Sequence, residues 1–263
     1  MKERLDILLV RQGLCPSRER AKSEIRSGNV YVNGVRADKP GLTCEEAAKL
    51  ELRGEILRYV SRGGLKIEKA LEVFGLSPEG KVCLDCGAST GGFTDCMLQN
   101  GARKVYALDV GTAQLAEKLR TDSRVVCMEH FNARELKPSD LDEAPELITA
   151  DVSFISLRLI LPALEGVLAP GGDLAVLLKP QLEAGRERLG KNGVVRDPSV
   201  HRAVLEELLL FFPTIGLWPQ GLSWSPIRGP EGNIEYLCHL RREDAGFVPD
   251  IPAIVSEAHG KLK

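Results

Sequence analysis

From Lys81 to Leu240, short apolar segments alternate with amphipathic ones, and few folds accommodate such an alternation. The apolar segments predict strands at Val82–Cys86, Lys104–Asp109, Val125–Met128, Leu147–Asp151, Asp173–Leu178, Gly221–Trp224 and Ile234–Leu240. The amphipathic segments predict helices at Phe93–Gln99, Ala113–Leu119, Ser156–Leu168 and Val200–Phe212. Strands that alternate with helices form a parallel, doubly wound α/β sheet. The last two strands are joined by a loop rich in Pro and Gly, which indicates an antiparallel hairpin at the edge of a mostly parallel, seven-stranded sheet.

A small module precedes this sheet. Residues 1–60 contain 12 Lys and Arg against 9 Asp and Glu, whereas the rest of the chain contains 23 against 28. Two short helices are predicted, the first ending at Gly13 and the second covering Arg18–Arg26. Val30–Val32 predicts a strand, and Asn33-Gly34 predicts a tight hairpin turn. The chain therefore begins with a mildly basic α+β domain.

Composition excludes several classes of protein. Apolar residues make up 43% of the chain and charged residues 27%, as in ordinary globular proteins. No apolar run approaches the roughly 18 uncharged residues that span a bilayer, and the charged N-terminus is unlike a secretory signal, so we expect a cytoplasmic protein with no membrane partner. The seven cysteines are expected to be free thiols. No metal is expected, because Cys83-x-x-Cys86 has no second Cys or His pair at zinc spacing.

The turn after the first predicted strand of the sheet is rich in glycine. Gly87, Gly91 and Gly92 follow the spacing G-x-x-x-G-G, which differs from the dinucleotide pattern G-x-G-x-x-G. Such glycines let the backbone approach a ligand at the carboxyl end of a parallel strand. Asp109 ends the second strand, where a carboxylate can accept hydrogen bonds from ribose hydroxyls. Together these features indicate a cofactor that contains a nucleoside; the alternative is a structural turn beside a surface aspartate.

The N-terminal domain resembles the S-four-type RNA-binding module, which is named for a small ribosomal subunit protein. The shared residues are Arg4-Leu-Asp6, Ser17-Arg18, Ala21, Ile25, Gly28-x-Val30-x-Val32-Asn33-Gly34 and Lys39-Pro40-Gly41. The second helix also presents one basic edge that phosphates would complement, although a solvated helix face is the alternative. The loop from Gln181 to Pro198 carries further basic residues that could clamp RNA. The residues expected to contact RNA are Arg4, Arg18, Arg20, Lys22, Arg26, Arg62 and Arg188.

Most of the chain is similar to the TlyA family, in which an S-four-type module precedes an FtsJ-like RNA methyltransferase domain. The shared segments are Val60-Ser61-Arg62-Gly63-Gly64-x-Lys66, Asp85–Thr94, Ala150–Leu157, Lys179-Pro180-Gln181 and Gly232–Tyr236. Family members are ribosomal RNA cytidine 2′-O-methyltransferases, and many are also labelled haemolysins. The resemblance implies a Rossmann-like methyltransferase domain over 62–245, an RNA-binding domain over 1–56, a linker over 57–61 and a tail over 246–263. It implies S-adenosylmethionine as cofactor and 16S and/or 23S ribosomal RNA, or ribosomal subunits, as partner.

The resemblance also implies the site residues. A Lys-Asp-Lys-Glu tetrad of the FtsJ-like family corresponds to the catalytic candidates Lys66, Asp151, Lys179 and Glu235. Lys179 would act on a ribose 2′-hydroxyl as a base or as a stabilising charge, while the carboxylates hold the lysines. The cofactor would be bound by Gly87, Ser89, Gly91, Gly92, Phe93, Asp109 and Asn132. For Asn132, an ordinary polar loop residue is the alternative.

Two functions from other classes stay open. One is a haemolysin or other membrane-active protein, which would need an apolar segment that the sequence lacks. The other is an RNA-binding protein with an inactive methyltransferase domain, against which the complete tetrad argues. A pseudouridine synthase is disfavoured because the body lacks a Gly-Arg-Leu-Asp motif. A base methyltransferase is disfavoured because neither an Asn/Asp-Pro-Pro-Tyr nor a Pro-Cys motif is present.

Overall fold

The computed structural model describes residues 2–26, 28–53, 58–190 and 193–262. The chain divides into two compact units, Met1–Arg62 and Gly63–Lys263. Each unit has a hydrophobic core of its own. Parts of three sequence-based predictions lie outside the described residues: the end of the RNA-binding domain at 54–56, the start of the linker at 57, and residues 191–192 of the basic loop after Gln181.

The first unit is built from two short helices and small antiparallel sheets. Its elements are β1 (Lys2–Arg4), α1 (Leu5–Arg11), α2 (Arg18–Arg26), β2 (Val30–Val32), β3 (Val35–Arg36), β4 (Thr43–Glu45) and β5 (Leu50–Leu52). β1 pairs with β4, and β2 pairs with both β3 and β5. Asn33 and Gly34 have φ values of 51° and 80° and close the β2–β3 hairpin, as predicted. The core is formed by fully buried side chains of the two helices: Leu5, Leu8, Leu9, Ala21 and Ile25.

In the described part of the second unit, seven strands form one sheet. They are β6 (Val82–Cys86), β7 (Lys104–Leu108), β8 (Val125–Met128), β9 (Leu147–Ala150), β10 (Asp173–Leu178), β11 (Trp218–Trp224) and β12 (Tyr236–Arg241). Their order across the sheet is β11-β12-β10-β9-β6-β7-β8. The strands from β6 to β10 are parallel, and β12 is antiparallel to both β10 and β11. The predicted α/β sheet with an antiparallel edge hairpin is therefore confirmed.

The helices of the second unit are α3 (Gly63–Phe74), α4 (Gly92–Gln99), α5 (Glu117–Arg120), α6 (Leu161–Val167), α7 (Pro180–Glu183), α8 (Pro198–Phe211) and α9 (Ile251–Lys261). α4 and α8 lie close to their predicted bounds. α6 starts later than predicted, because residues 157–159 form a separate 3-10 turn that is capped by Ser156. None of the described helices is both long enough and apolar enough to cross a membrane.

α5 is shorter than the helix predicted over Ala113–Leu119, and that prediction is wrong at its start. Ala113 has a φ of 50°, outside the helical region. The Glu129 carboxylate accepts the backbone N–H groups of residues 113–115 at distances from 2.8 to 3.2 Å. These bonds stabilise a non-helical path, so only the end of the predicted segment is helical.

The segment after Arg242, predicted as a tail over 246–263, contains helix α9. Asp250 caps this helix, since its side chain accepts a backbone N–H of the first turn at 3.0 Å. The apolar side of α9 enters the core of the second unit through Ile251, Val255 and Ala258. The segment is therefore a structural part of this unit.

Candidate active site

The carboxyl ends of four adjacent parallel strands bring predicted site residues to one edge of the sheet. In order across the sheet, these are Lys179 after β10, Asp151 after β9, Gly87 after β6 and Asp109 after β7. Glu235 joins them because β12 is antiparallel and begins at Tyr236, which pairs with Leu178 at the end of β10. Clefts at this edge are the usual ligand sites of such sheets.

Lys66, Asp151, Lys179 and Glu235 form one network of ion pairs. Lys66 Nζ lies 2.7 Å from Glu235 Oε2 and 3.1 Å from Asp151 Oδ2. Lys179 Nζ lies 2.5 Å from Asp151 Oδ1. The four side chains are between 1% and 16% exposed. The fold thus assembles all four predicted residues, although they are far apart along the chain.

Opposite charges stabilise this network despite its burial. Burial disfavours the charged Lys66 ammonium, but the attraction of Asp151 and Glu235 outweighs it, so the pKa of Lys66 is raised. Burial also disfavours the charged Asp151 carboxylate, but Lys66 and Lys179 outweigh it, so the pKa of Asp151 is lowered. Lys66 and Asp151 are therefore charged at neutral pH.

The short helix α7 forms hydrogen bonds with Glu235 and with the segment that follows Asp151. Gln181 Nε2 donates to Glu235 Oε1 at 3.5 Å. Glu183, whose side chain is 3% exposed, accepts hydrogen bonds from Ser156 Oγ at 2.7 Å and from the backbone N–H of Leu157 at 2.8 Å. Because α7 starts directly after Lys179, Glu183 ties the segment that follows Asp151 to the end of β10.

The glycine-rich turn after β6 fits a ligand that approaches its backbone. Gly87 has a φ of 87°, and a Cβ there would lie 2.5 Å from the carbonyl oxygen of Asp151. Asp109 Oδ2 accepts the backbone N–H of Ser89 at 2.7 Å, so the turn and the end of β7 are held together. A half-buried carboxylate beside this turn suits the ribose of S-adenosylmethionine. These residues therefore fit the implied cofactor.

Four other predicted cofactor residues have different surroundings. Gly91 has a φ of 94° and precedes α4, and Gly92 is its first residue. The ring of Phe93 is 5% exposed and packs in the interior. Asn132 caps a short turn, since its Oδ1 accepts the N–H of Arg134 at 3.2 Å and its Nδ2 donates to Glu135 at 3.0 Å. Its half-buried amide is thus used locally, and its contact with adenine stays a prediction.

The predicted RNA-contacting residues differ in how far they are already engaged. Arg4 and Arg18 both bind the buried carboxylate of Asp6, at 2.9 Å and 3.1 Å, and remain half-exposed. The Arg4 hydrogen bond lowers the pKa of Asp6 to about 2, so this carboxylate is always charged near neutral pH. The two guanidinium groups are thus held side by side.

The other basic candidates range from paired to exposed. Arg20 pairs with Glu24 at 2.8 Å and donates to the carbonyl of Tyr59, so it has partners within the first unit. Arg188 pairs with Glu207 at 3.0 Å. Arg26 and Arg62 are exposed, whereas Lys22 is half-buried.

One residue of interest was not identified as a site residue from the sequence. Phe154 lies three residues after Asp151, is 99% exposed, and has a φ of 65°. Both properties are unfavourable for an aromatic residue, and such features concentrate at functional sites. In the sequence, the feature that could have indicated this residue is an aromatic side chain in the loop directly after the carboxylate at a strand end.

Comparison with known proteins agrees with this geometry. Residues 59–242 match the FtsJ-like methyltransferase family, and residues 3–49 match the S4 domain. YqxC of Bacillus subtilis, provisionally named an rRNA methyltransferase, is 54% identical over 100% of this chain and 96% of its own length. TlyA of Mycobacterium tuberculosis, named a 16S/23S rRNA (cytidine-2′-O)-methyltransferase, is 42% identical over 91% of this chain and 90% of its own.

A solved structure extends the match to three dimensions. A Streptococcus thermophilus protein, provisionally named a hemolysin, has a TM-score of 0.81 and 52% identity, covering 99% of this chain and 97% of that one. The expectation of an S-adenosylmethionine-dependent methyltransferase is confirmed by the family match. The chain therefore belongs to the TlyA family, in which an S4 domain is joined to an FtsJ-like methyltransferase domain.

Proposed function

We propose that this protein transfers a methyl group from S-adenosylmethionine to the ribose 2′-hydroxyl of a cytidine in ribosomal RNA. The observation that carries the proposal is the buried network of Lys66, Asp151, Lys179 and Glu235 beside the glycine-rich turn. The S4 domain supplies an RNA-binding part. The name of the Mycobacterium tuberculosis relative supports cytidine in 16S and 23S rRNA as the target, which would place the reaction on cytoplasmic ribosomal subunits.

The reaction requires little from the protein except positioning and the handling of one proton. When bound, S-adenosylmethionine supplies a methyl group on a positively charged sulfur, which is strongly activated. The 2′-hydroxyl is a weak nucleophile, because its pKa is far above 7. A fixed group that takes its proton, or that stabilises the negative charge developing on O2′, therefore accelerates the transfer.

The contacts favour different roles for the two lysines. Lys66 lies between two carboxylates, and its raised pKa keeps it an ammonium ion. Lys179 pairs with Asp151, and no second carboxylate of the described residues lies within 4.0 Å of its Nζ. Lys179 is therefore the group that acts on the hydroxyl, as a proton acceptor or as a stabilising charge. Lys66 and Glu235 fix Asp151, which in turn orients Lys179.

Replacing Lys179 tests this assignment. Lys179→Ala should lower methyl transfer to ribosomal subunits by about 100- to 10,000-fold, the usual contribution of such a group. Lys179→Arg should fail as well, because a guanidinium stays protonated and has a different shape. The matched control is Lys81→Ala, since Lys81 pairs with Asp173 at the opposite end of β10, 3.6 Å away. Transfer is measured with tritiated methyl donor, and donor binding by calorimetry.

The chemical position of the label tests the reaction itself. Methylation of O2′ gives dinucleotides that resist alkali, because the neighbouring hydroxyl is blocked. Label found on an alkali-sensitive base would contradict ribose methylation. Near-normal turnover of Lys179→Ala would contradict the role of the network, and an inactive wild-type protein that still bound RNA would favour an inactive methyltransferase domain.

A further inference from the structure

A cavity of about 370 Å³ borders the loop that precedes Glu235 and is not used by the mechanism above. Ile234 lines it and directly precedes Glu235. The loop that contains Ile234 also touches Glu235, because a Cβ at Gly229 would lie only 2.7 Å from Glu235 Oε1. The volume falls within the ~300–1,000 Å³ that is typical of ligand pockets. A ligand in this cavity would therefore lie against the loop that leads into Glu235.

The polar lining of the cavity carries an excess of positive charge. It is formed by Arg196, Arg228, Glu231 and His259. The Arg228 guanidinium donates to the carbonyl of Gly232 at 2.8 Å and to the carbonyl of Leu262 at the end of α9. Within the described residues, no carboxylate lies within 4.0 Å of the guanidinium of Arg196 or of Arg228. Arg228 is thus held in place without being neutralised, which suits an anionic ligand.

His259 adds a polar atom that has no partner in the described part of the chain. Its Nε2 is buried and makes no hydrogen bond with the described residues. The ring packs against that of His201, at a centroid distance of 4.8 Å. Burial and the nearby Arg228 lower the pKa of His259, so the ring is neutral at neutral pH. Leaving such an atom unsatisfied is unfavourable, and an oxygen-rich ligand in the cavity would satisfy it.

We propose that this cavity binds a backbone phosphate of the RNA substrate, close to the nucleotide whose ribose lies at Lys179. The proposal rests on the proposed RNA methyltransferase function. Two arginines provide the planar donors that match phosphate oxygens. α9 and the residue that follows it complete the site, because they supply His259 and the carbonyl that holds Arg228. The adjacent phosphate would help to fix the register of the RNA, so that one ribose faces Lys179.

Arginine variants test the cavity in the full-length protein. Arg196→Gln and Arg228→Gln should each weaken binding to unmethylated ribosomal subunits about tenfold in filter binding and raise the KM for them. The slope of log affinity against log salt should fall by about one for each arginine. Calorimetry should show unchanged affinity for S-adenosylmethionine. Arg202→Gln is the matched control, since Arg202 is exposed on α8 and does not line the cavity.

Each outcome separates this proposal from the proposed function. Unchanged RNA affinity and salt slope in Arg196→Gln would overturn the phosphate site, even if the wild-type protein methylates O2′ normally. Arg196 is exposed, so this variant tests the cavity without disturbing α9, and thermal unfolding checks the fold of Arg228→Gln. Inorganic phosphate could bind in the cavity while Arg196→Gln and Arg228→Gln still bind RNA as tightly as the wild type. In that case the site takes free phosphate, and the proposal fails. If the wild-type protein transfers no methyl group, only the proposed methyltransferase function is contradicted. Filter binding still measures how much the cavity contributes to RNA affinity.

Discussion

Phe154 has a backbone conformation and an exposure that both destabilise the folded chain. Its φ of 65° belongs to the left-handed region, and its ring is 99% exposed. A non-glycine residue in this region costs roughly 1–2 kcal/mol. An exposed aromatic ring three residues after Asp151 is suited to stack on an unpaired base of the RNA, as aromatic side chains do in RNA-binding proteins.

This interpretation predicts opposite changes in stability and activity. Phe154→Gly should raise the free energy of unfolding by up to about 1 kcal/mol, because glycine adopts the left-handed conformation freely. The same change should lower RNA methylation about tenfold, since stacking of one base is worth ~1–3 kcal/mol. Phe154→Tyr should retain activity. Thermal unfolding and tritium transfer measure the two effects.

The control is Leu210→Ala, because Leu210 is also a large apolar residue, 77% exposed, but lies on α8. It should leave methylation unchanged. If Phe154→Gly methylates RNA as fast as the wild type, the ring has no role in RNA binding.

Residues whose roles depend on strand ends were predictable, whereas residues whose roles depend on backbone detail were not. Asp151 and Lys179 follow continuous apolar strands, so their common edge could be expected from the strand pattern, although their tetrad assignment came from a family resemblance. Phe154 combines a positive φ with full exposure, and neither property can be read from a periodic pattern in the sequence. The environment of His259 depends on packing between α9 and His201, which are far apart in sequence.

At the scale of the elements, α7 connects the two strands that carry the central ion pair. Glu183 on α7 holds Ser156 and Leu157 by hydrogen bonds of 2.7 and 2.8 Å. The segment between Asp151 and Ser156 is therefore fixed at both ends, by β9 and by α7.

Glu183→Ala should accordingly loosen the site as well as the fold. Hydrogen bonds to a buried charged group contribute ~1.5–3 kcal/mol each, so the free energy of unfolding should fall by at least about 1.5 kcal/mol. Turnover should fall about tenfold, while calorimetry should show S-adenosylmethionine affinity close to normal. The matched control is Glu207→Ala, whose carboxylate forms exposed ion pairs with Arg188 and should change stability by less than about 1 kcal/mol. Equal effects of the two variants would contradict the anchoring role.

Element bounds were predictable where one local signal dominates. β6, β8 and β10 match their predictions because each is dominated by apolar residues, with Asp85 and Asp173 as the exceptions. α5 does not match, because Glu129 is far along the chain from the N–H groups that it binds. β11 begins at Trp218, before its predicted start, although it contains Pro219 and an irregularity there, as edge strands allow.

At the scale of the whole molecule, the two units carry separable tasks. Each has its own core, and the residues of the candidate active site all belong to Gly63–Lys263. In the first unit, Arg4 and Arg18 are presented by Asp6 as a pair of half-exposed cations.

Removal of residues 1–62 should therefore weaken binding to ribosomal subunits without changing the affinity for S-adenosylmethionine. The salt dependence of RNA binding should also decrease, because each lost phosphate contact removes about one unit of slope. Filter binding at several salt concentrations and calorimetry measure the two affinities. If the truncated protein binds RNA as tightly as the full chain, the S4 domain has another task.

The contact of Gly87 with Asp151 joins the turn predicted to bind the methyl donor to the residue that pairs with Lys179. A Cβ at Gly87, in the turn after β6, would lie 2.5 Å from the carbonyl oxygen of Asp151. The backbone N–H of Asp151 also donates to the carbonyl of Cys86 at 3.0 Å. We therefore expect a movement of this turn to reach the carboxylate that pairs with Lys179. Thermodynamic linkage then requires that whatever the methyl donor does to RNA affinity, RNA does to donor affinity by the same factor. An inhibitor placed in the donor turn would accordingly have two potencies, one for the free enzyme and one for the enzyme on the ribosome.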